Sequence, residues 1–290
     1  MIVHGTTRQK LPICGNQAMF ELQPPKNDGL YIQKVGEWSH RKHWFLMRYI
    51  DAFTTSMKDK NWTGLHYIDL FAGAGIEKLE TSQELSWGSP MIAAKAPHPF
   101  DRLHLCEKNK RKYNALKIRI YEIKPNSQVL SGDANEKIHE IVREIPEGAL
   151  SLAFLDPYGL HLDYETLRIL SNIRADLIIF FPDHLDMLRN WEHNYFENPD
   201  SNLDRYLGSG ADWRTLFNDT PVQQRAEILR KLYVNQLKTK LGYKEFEYER
   251  ISFKNHPLYI LIFCSRHKLA AKLWRGISTK KPDGERMLPF

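Results

Sequence analysis

The sequence predicts an α/β protein built on an open, mostly parallel sheet with helices on both faces. Three observations carry that expectation. Between residues 65 and 182 five short apolar runs recur, the first four each followed by an amphipathic stretch of helical period. Near-continuous apolar strands separated by such helices mark a parallel sheet buried on both sides. Four strand ends carry an acid, Asp69, Glu107, Asp133 and Asp156, and ligands of open sheets sit beyond the carboxyl ends of the strands. Near the end of the chain two further strands flank the short turn "KNHP", which predicts an antiparallel pair.

In chain order, residues 1–30 read as an arm with "QPPKNDG" as breaker chemistry. Residues 31–64 form an N-terminal helical segment. Its helix starts near Trp38 with Ser39 as N-cap; Trp44, Met47, Tyr49, Ile50 and Phe53 make its apolar face, and His40, Arg41, Lys42, His43 and Arg48 its other face. A core at 65–182 follows: strand "LHYIDLF" and helix "PMIAAKA", strand "RLHLCE" and helix "KNKRKYNALKIRIYEI", strand "SQVLSGD" and helix "ANEKIHEIVREI", strand "ALSLAFLD" and helix "DYETLRILSNI", then strand "ADLIIFFP". An irregular, aromatic-rich insert occupies 183–218. Residues 219–290 complete the same domain with a long helix, the strands "FEYERISFK" and "HPLYILIFCS", and the closing helix "HKLAAKLWRGI". Five parallel strands with a terminal antiparallel pair is the plan of the Rossmann-like sheet of class I S-adenosylmethionine (SAM) methyltransferases.

Composition narrows the class. At 290 residues with 42% hydrophobic and 26% charged content the chain is an ordinary globular protein. It carries no apolar run near the ~20 residues that cross a bilayer and no signal-type stretch at its start, so a cytoplasmic protein is expected. Cys14, Cys106 and Cys264 lack any CxxC spacing, so reduced thiols are expected, with no disulfide framework and no metal site. A net charge of +6 is compatible with a polyanionic partner such as nucleic acid.

The strand ends carry the chemistry. In "YIDLFAGAG", Asp69 closes a strand and orients the loop or accepts from a ligand ammonium, while Gly73 and Gly75 let the backbone turn and approach a ligand; Phe71 belongs to the same stretch. Glu107 ends the next strand, where an acid can accept both hydroxyls of a ribose. Its spacing of 38 residues from Asp69 exceeds the usual ~20, which makes "IEKLETSQELSW" a loop insertion and a candidate lid, with a helix beginning at Ser89 as N-cap and Pro90 as first position. Asp133 and Ala134 in "SGDAN" are placed to meet adenine. In "FLDPYGL", Asp156, Pro157 and Tyr158 resemble in part the DPPY of enzymes that methylate amino nitrogens, with the second Pro absent and Gly159 following Tyr158. There the carboxylate and a carbonyl accept from the target amine, and the aromatic stacks on its ring.

Each piece also fits a plainer role: a strand-to-helix turn, a solvated helix-start acid at Glu107, a helix N-cap at Asp133, a strand-ending turn with a core tyrosine at Tyr158. Four in order at successive strand ends favour a nucleoside cofactor. "AGAG" is not the GxGxxG of dinucleotide sites, and no GK[ST] follows to make a P-loop.

Taken jointly, "VGEWSHRKHWFLMRYI", "YIDLFAGAG", "GSP", "SGDAN", "FLDPYGL", "DLIIFFP", "LDRYLGSGADW" and "YILIFCSRHKLAAKLW" resemble the three-Cys-motif partner protein family (TcmP), from about residue 28 to 277. The resemblance implies a class I SAM-methyltransferase-like domain and S-adenosyl-L-methionine as cofactor. It also implies pairing with a separate three-cysteine protein that resembles radical-SAM or iron–sulfur proteins. The three cysteines of the name belong to that partner, so Cys14, Cys106 and Cys264 are not its motif.

Two functions follow as expectations. The first is a SAM-dependent methyltransferase acting on an amino group, of a nucleobase, with Asp156, Pro157 and Tyr158 as catalytic residues and Asp69, Phe71, Gly73, Gly75, Glu107, Asp133 and Ala134 holding the cofactor. A base inside a duplex would have to be flipped out. "KNKRKY" and "WSHRKHW" offer cations and aromatics for a nucleic-acid backbone, or are solvated helix faces; His40 and His43 read as surface or structural residues. The second is a recognition or scaffold subunit of the partner, docked through Trp191, Tyr195, Tyr206 and Trp213. A nuclease is disfavoured, since no PD…ExK cluster backs Asp133 and Asp156.

Overall fold

In the computed structural model the described residues are 21–182, 195–208, 212–218, 220–253 and 256–279. The chain enters through β1 (Gln33–Val35) and α1 (Ser39–Met57). It continues with β2 (Leu65–Asp69), β3 (Ile76–Leu79), β4 (Leu85–Trp87), α2 (Ser89–Ala94), β5 (Arg102–Glu107), α3 (Lys110–Ile123), β6 (Gln128–Ser131), α4 (Ala134–Arg143), β7 (Leu150–Leu155), α5 (Tyr164–Leu170) and β8 (Ala175–Pro182). Helices α6 (Asn202–Leu207), α7 (Trp213–Asn218) and α8 (Val222–Thr239) lead to β9 (Glu245–Phe253), β10 (His256–Ser265) and α9 (Lys268–Ser278).

Seven strands form one sheet in the order β6-β5-β2-β7-β8-β10-β9. β10 runs antiparallel to both neighbours, so β9 is parallel to the body of the sheet. This is the Rossmann-like arrangement expected of a class I methyltransferase sheet. Every residue of β2 and β8 is buried, because helices cover both faces and such strands have no solvent side. One face packs under α1, α2, α3 and α9 through Phe45, Leu46, Tyr49, Met91, Leu116 and Trp274. The other packs under α4, α5 and α6–α8 through Ile138, Ile141, Leu167, Tyr206, Leu229 and Tyr233. The Trp274 ring stacks at 4.7 Å on Phe263 and at 5.9 Å on Phe45, tying the C-terminal helix to both α1 and the sheet.

Two polar anchors orient α1. The Tyr49 hydroxyl donates to Asp176 at 2.9 Å near the amino end of β8, and the Lys42 ammonium donates to Asp156 just past the carboxyl end of β7. The first turns of α1 therefore lie over the strand ends where ligands of such sheets bind. Trp38, not Ser39, is the N-cap, and no side chain caps the helix. Lys42 and His43, expected on the solvated face, are buried. The reason is periodic: Lys42 shares its stripe with Leu46, Tyr49, Ile50 and Phe53, three to four residues apart.

The stretch expected to be a loop insertion is a β-hairpin. β3 pairs antiparallel with β4, with Ile76 opposite Trp87, and parallel with β1, making a separate three-stranded sheet. The Gly88 N–H donates to the Gly75 carbonyl at 2.9 Å and closes the base of the hairpin. Its tip is tied down by Glu37, whose Oε1 accepts from the N–H groups of Thr81 and Ser82 at 2.9 and 3.0 Å. β3, "IEKL", shows no apolar alternation, and the three residues of β4, "LSW", are too few to announce a strand. Helix α2 begins at Ser89 as expected, but Gly88 is its N-cap and Pro90 lies one position further in.

The arm preceding β1 is also fastened. Arg119, 3% exposed, grips Asp28 with Nε and Nη2 at 2.7 Å each and donates to the carbonyls of Tyr31 at 2.9 Å and Ala74 at 2.5 Å. One buried guanidinium thus joins the arm to the glycine loop after β2. In the insert, α6 and α7 replace part of the expected irregular chain. Tyr195, Tyr206 and Trp213 are buried there, because they complete the apolar face over α8 instead of offering a docking surface; Trp191 lies outside the described residues. Cys106 and Cys264 are buried, unpaired thiols, and Cys14 lies outside the described residues. Among the described residues no helix is long and apolar enough to cross a membrane.

Candidate functional site

Asp69 is the last residue of β2 and is fully buried. Its Oδ1 accepts from the Phe71 N–H at 3.2 Å, and its Oδ2 accepts from Ser89 Oγ at 2.6 Å and from the Tyr67 hydroxyl at 3.3 Å. Burial pushes its carboxyl up to about 7, with the Ser89 and Phe71 donors pulling the other way. Asp69 thus spends its acceptors on the loop and on the start of α2.

That loop turns through Gly73 at φ +64° and Gly75 at φ +86°. Gly73 is held from the neighbouring strand: its N–H donates to Glu107 Oε2 at 2.9 Å. A Cβ on Gly73 would stand 2.9 Å from Gln33 Oε1, the far end of a side chain that can give way, so it is the backbone angle that calls for glycine here. Phe71 is half-buried beside the same turn. The other Glu107 oxygen accepts from the Asn109 N–H at 2.6 Å at the start of α3. A carboxylate has about four acceptor sites, so Glu107 retains capacity for a further donor on each oxygen.

Asp133 caps α4 by accepting from the Asn135 N–H at 2.9 Å, and its Oδ2 accepts from Lys108 Nζ at 2.9 Å. Burial alone would raise its carboxyl; Lys108 and the Asn135 N–H outweigh that and hold it below the usual range. Ala134 is buried against the core as the first residue of α4. Capping and ligand contact are compatible on a group with spare lone pairs.

Beyond β7, Asp156 receives the Lys42 ammonium, with side chains 22% and 11% exposed. Pro157 is buried, whereas the Tyr158 ring is 86% exposed and so is no core residue. Lys42 also lies 5.5 Å from the centroid of the Phe180 ring. Burial by itself would lower the Lys42 pKa, but Asp156 and Glu77 outweigh it and hold the ammonium charged.

The surroundings of Lys42 contain residues that sequence reasoning passed over. Glu77, on β3, is 7% exposed, and burial pushes its carboxyl up to about 7, with Lys42 pulling it down and Asp156 pushing it up. His43 Nδ1 stands 3.6 Å from Glu77 Oε2. Burial and the nearby Lys42 lower the His43 pKa well below the ordinary histidine range, so it is neutral at pH 7. For Lys42 and His43 a signal existed in the helical stripe noted above. For Gln33 and Glu77 none did, since they meet only when β1 pairs with β3. His43 also lines a groove of about 300 Å³ with Trp44, Trp87, Leu22 and Met47.

The fold bonds Gly73 to Glu107, sets Asp69 and Gly75 at the two ends of the same loop, sets Asp133 on the neighbouring strand end, and sets Asp156 on the other side of β2 against Lys42. No family model and no curated protein matches this chain. Among solved structures it is similar to protein LPL1258 of Legionella pneumophila, with 13% identity, 81% of this chain and 90% of that one covered, and a TM-score of 0.50. It is also similar to an O-methyltransferase of Bacillus cereus in complex with SAH, with 10% identity, 77% and 80% covered, and a TM-score of 0.44. A third is the magnesium protoporphyrin IX methyltransferase of Synechocystis, at 11% identity, 79% and 86% covered, and 0.39. At such identities the likeness is one of fold: a Rossmann-like α/β sheet.

Proposed function

We propose that this protein is a SAM-dependent methyltransferase acting on an amino group, of a nucleobase, and working with a three-Cys-motif partner protein. The observation that carries the reading is the Gly73 N–H held by Glu107 at 2.9 Å, which joins a strand-end acid to a glycine turn at the centre of the sheet. The residues present fit an adenosyl cofactor. Gly73 turns the backbone at a positive angle beside the strand-end acid, and Glu107 has lone pairs left for a pair of hydroxyls.

Glu107 would hold the ribose and Asp133 with Ala134 the adenine, while the turn from Phe71 through Gly75 would line the amino-acid arm. When bound, the cofactor supplies an electrophilic methyl group on a sulfonium. The chain's task is then to orient a nucleophile and exclude water. Asp156 and the Pro157 carbonyl would accept from the target amine, and the exposed Tyr158 ring is free to stack on its base. The partner rests on the TcmP resemblance, and nucleic acid on the net charge of +6.

One observation favours a second reading, a recognition subunit without transfer of its own. Asp156 is already engaged by Lys42, so an incoming amine has to compete with an ion pair. Calorimetric titration with SAM and S-adenosylhomocysteine, on the wild type and Glu107→Ala, tests the cofactor site. Binding lost in the variant supports it, and radiolabelled transfer onto nucleic acids with and without the partner then separates the two readings. Absence of binding by the folded wild type overturns the methyltransferase reading.

A further inference from the structure

The small sheet holds two acceptors that no group among the described residues satisfies. Gln33 on β1 and Glu77 on β3 are register partners on parallel strands, and paired residues send their side chains to the same face of a sheet. Gln33 Oε1 and Glu77 Oε2 are both buried, and neither has a hydrogen-bond donor. The nearest ring nitrogen, His43 Nδ1, is 3.6 Å from Glu77 Oε2, beyond hydrogen-bond reach. Gln33 Oε1 lies directly against Gly73, within 2.9 Å of where its Cβ would be. A buried acceptor left without a donor destabilises the fold, and two on one rung beside the glycine turn point to a donor supplied from outside.

We infer that Gln33 and Glu77 form the seat of a primary ammonium, that of the cofactor's amino-acid arm; this rests on the SAM reading above. An ammonium brings three donors and no acceptor, the complement of two oxygens in need of donors. Its charge fits as well. Around Glu77 stand the carboxylates of Asp69 on β2 and Asp156 after β7, against the cations Lys42 on α1 and Lys112 on α3, with His43 neutral. The surrounding acids and cations balance two against two, so the charge that attracts a cation is that of Glu77 itself as it ionises on binding. Asp69, the acid on which sequence reading placed the ammonium, already accepts from three donors. Recognition of the ammonium passes from the large sheet to the small one. That gives the hairpin between Gly75 and Gly88 a purpose: it carries Glu77 alongside Gln33, whose oxygen meets the glycine turn.

The test compares two ligands that differ in this arm. S-adenosylhomocysteine keeps the ammonium; 5′-methylthioadenosine lacks the whole arm. Both are titrated calorimetrically into the wild type, Glu77→Gln and Gln33→Ala, with thermal melts reporting folding. Loss of a hydrogen bond to a charged group weakens S-adenosylhomocysteine by about 10-fold or more in Glu77→Gln, less in Gln33→Ala, and leaves methylthioadenosine unchanged in both. Titrations in buffers of different ionisation enthalpy add a second readout. At pH 7 the wild type releases protons on binding S-adenosylhomocysteine as Glu77 ionises, and Glu77→Gln does not. If both ligands weaken together, or S-adenosylhomocysteine binds the folded variants as it binds the wild type, the seat is elsewhere and the cofactor reading stands. If the wild type binds neither ligand, the cofactor reading fails and the inference with it.

Discussion

Lys42, in the first turns of α1, places its ammonium on the carboxylate of Asp156 just past the end of β7, across 114 residues of chain. The contact locks the N-terminal helix over the strand ends and sets the charge of the site. Removing one partner of a largely buried ion pair leaves the other uncompensated. Asp156 keeps 22% of its side chain exposed, so Lys42→Met should cost about 2–3 kcal/mol, at the low end for a buried pair. Lys42→Met with Asp156→Leu should recover most of that loss in urea denaturation. A single variant as stable as the wild type would mean that the pair contributes nothing.

Glu107→Ala should lower affinity for S-adenosylhomocysteine by about 10- to 100-fold, the range for losing one or two hydrogen bonds from a charged acceptor. The same change frees the N–H groups of Gly73 and Asn109, so the melting temperature should fall by a few degrees. Unaltered affinity would remove Glu107 from the cofactor site.

Gly73→Ala combines a positive backbone angle with a close approach to Gln33 Oε1, the movable end of a side chain. The left-handed conformation alone costs a residue with a Cβ about 1–2 kcal/mol. Adding Gln33→Ala should relieve the close approach and leave the angular cost. The difference between the single and double variants in chemical denaturation measures the two separately.

Burial pushes Glu77 from an ordinary value of 4.5 up to about 7. A carboxyl whose pKa is raised by folding contributes stability that is full below about pH 4.5 and is lost as pH rises through about 7. Glu77→Gln should therefore match the wild type near pH 4 and exceed it near pH 8, by up to about 3 kcal/mol. Denaturation curves at the two pH values check this. A variant less stable at pH 8 would show that the ionised Glu77, paired with Lys42, is a net gain.

Tyr158 is 86% exposed beside the half-buried Asp156 and the buried Pro157. Tyr158→Ala should change stability by less than about 0.5 kcal/mol and leave S-adenosylhomocysteine binding intact, while lowering transfer to a ring-bearing acceptor. Base–aromatic stacking is worth about 1–3 kcal/mol, so the expected loss is about 5- to 100-fold in kcat/KM. Equal transfer by the variant would free Tyr158 of that role.

Much of the large sheet was legible because its signals are local. Each of the five core strands is an apolar run, each strand end is marked by a polar residue or a glycine, and the periods of 2 and 3.6 separate strand from helix within a dozen residues. The strand-end acids Asp69 and Glu107 and the glycines Gly73 and Gly75 stood out for the same reason, but that Glu107 holds the Gly73 N–H from 34 residues away did not. What the tertiary structure decided was long-range. The hairpin 76–87 is too short and too polar to announce itself, and becomes a sheet only when β1 arrives from more than forty residues away. Lys42 looked like one cation among several on a helix face until Asp156 and Glu77 closed around it. Tyr206 and Trp213, aromatic and of no fixed period, became core only through packing over α8. Local pattern determines which elements form, because backbone geometry and burial repeat along the chain. Which polar groups face one another depends on pairings that the chain makes with itself at a distance, and no local period encodes those.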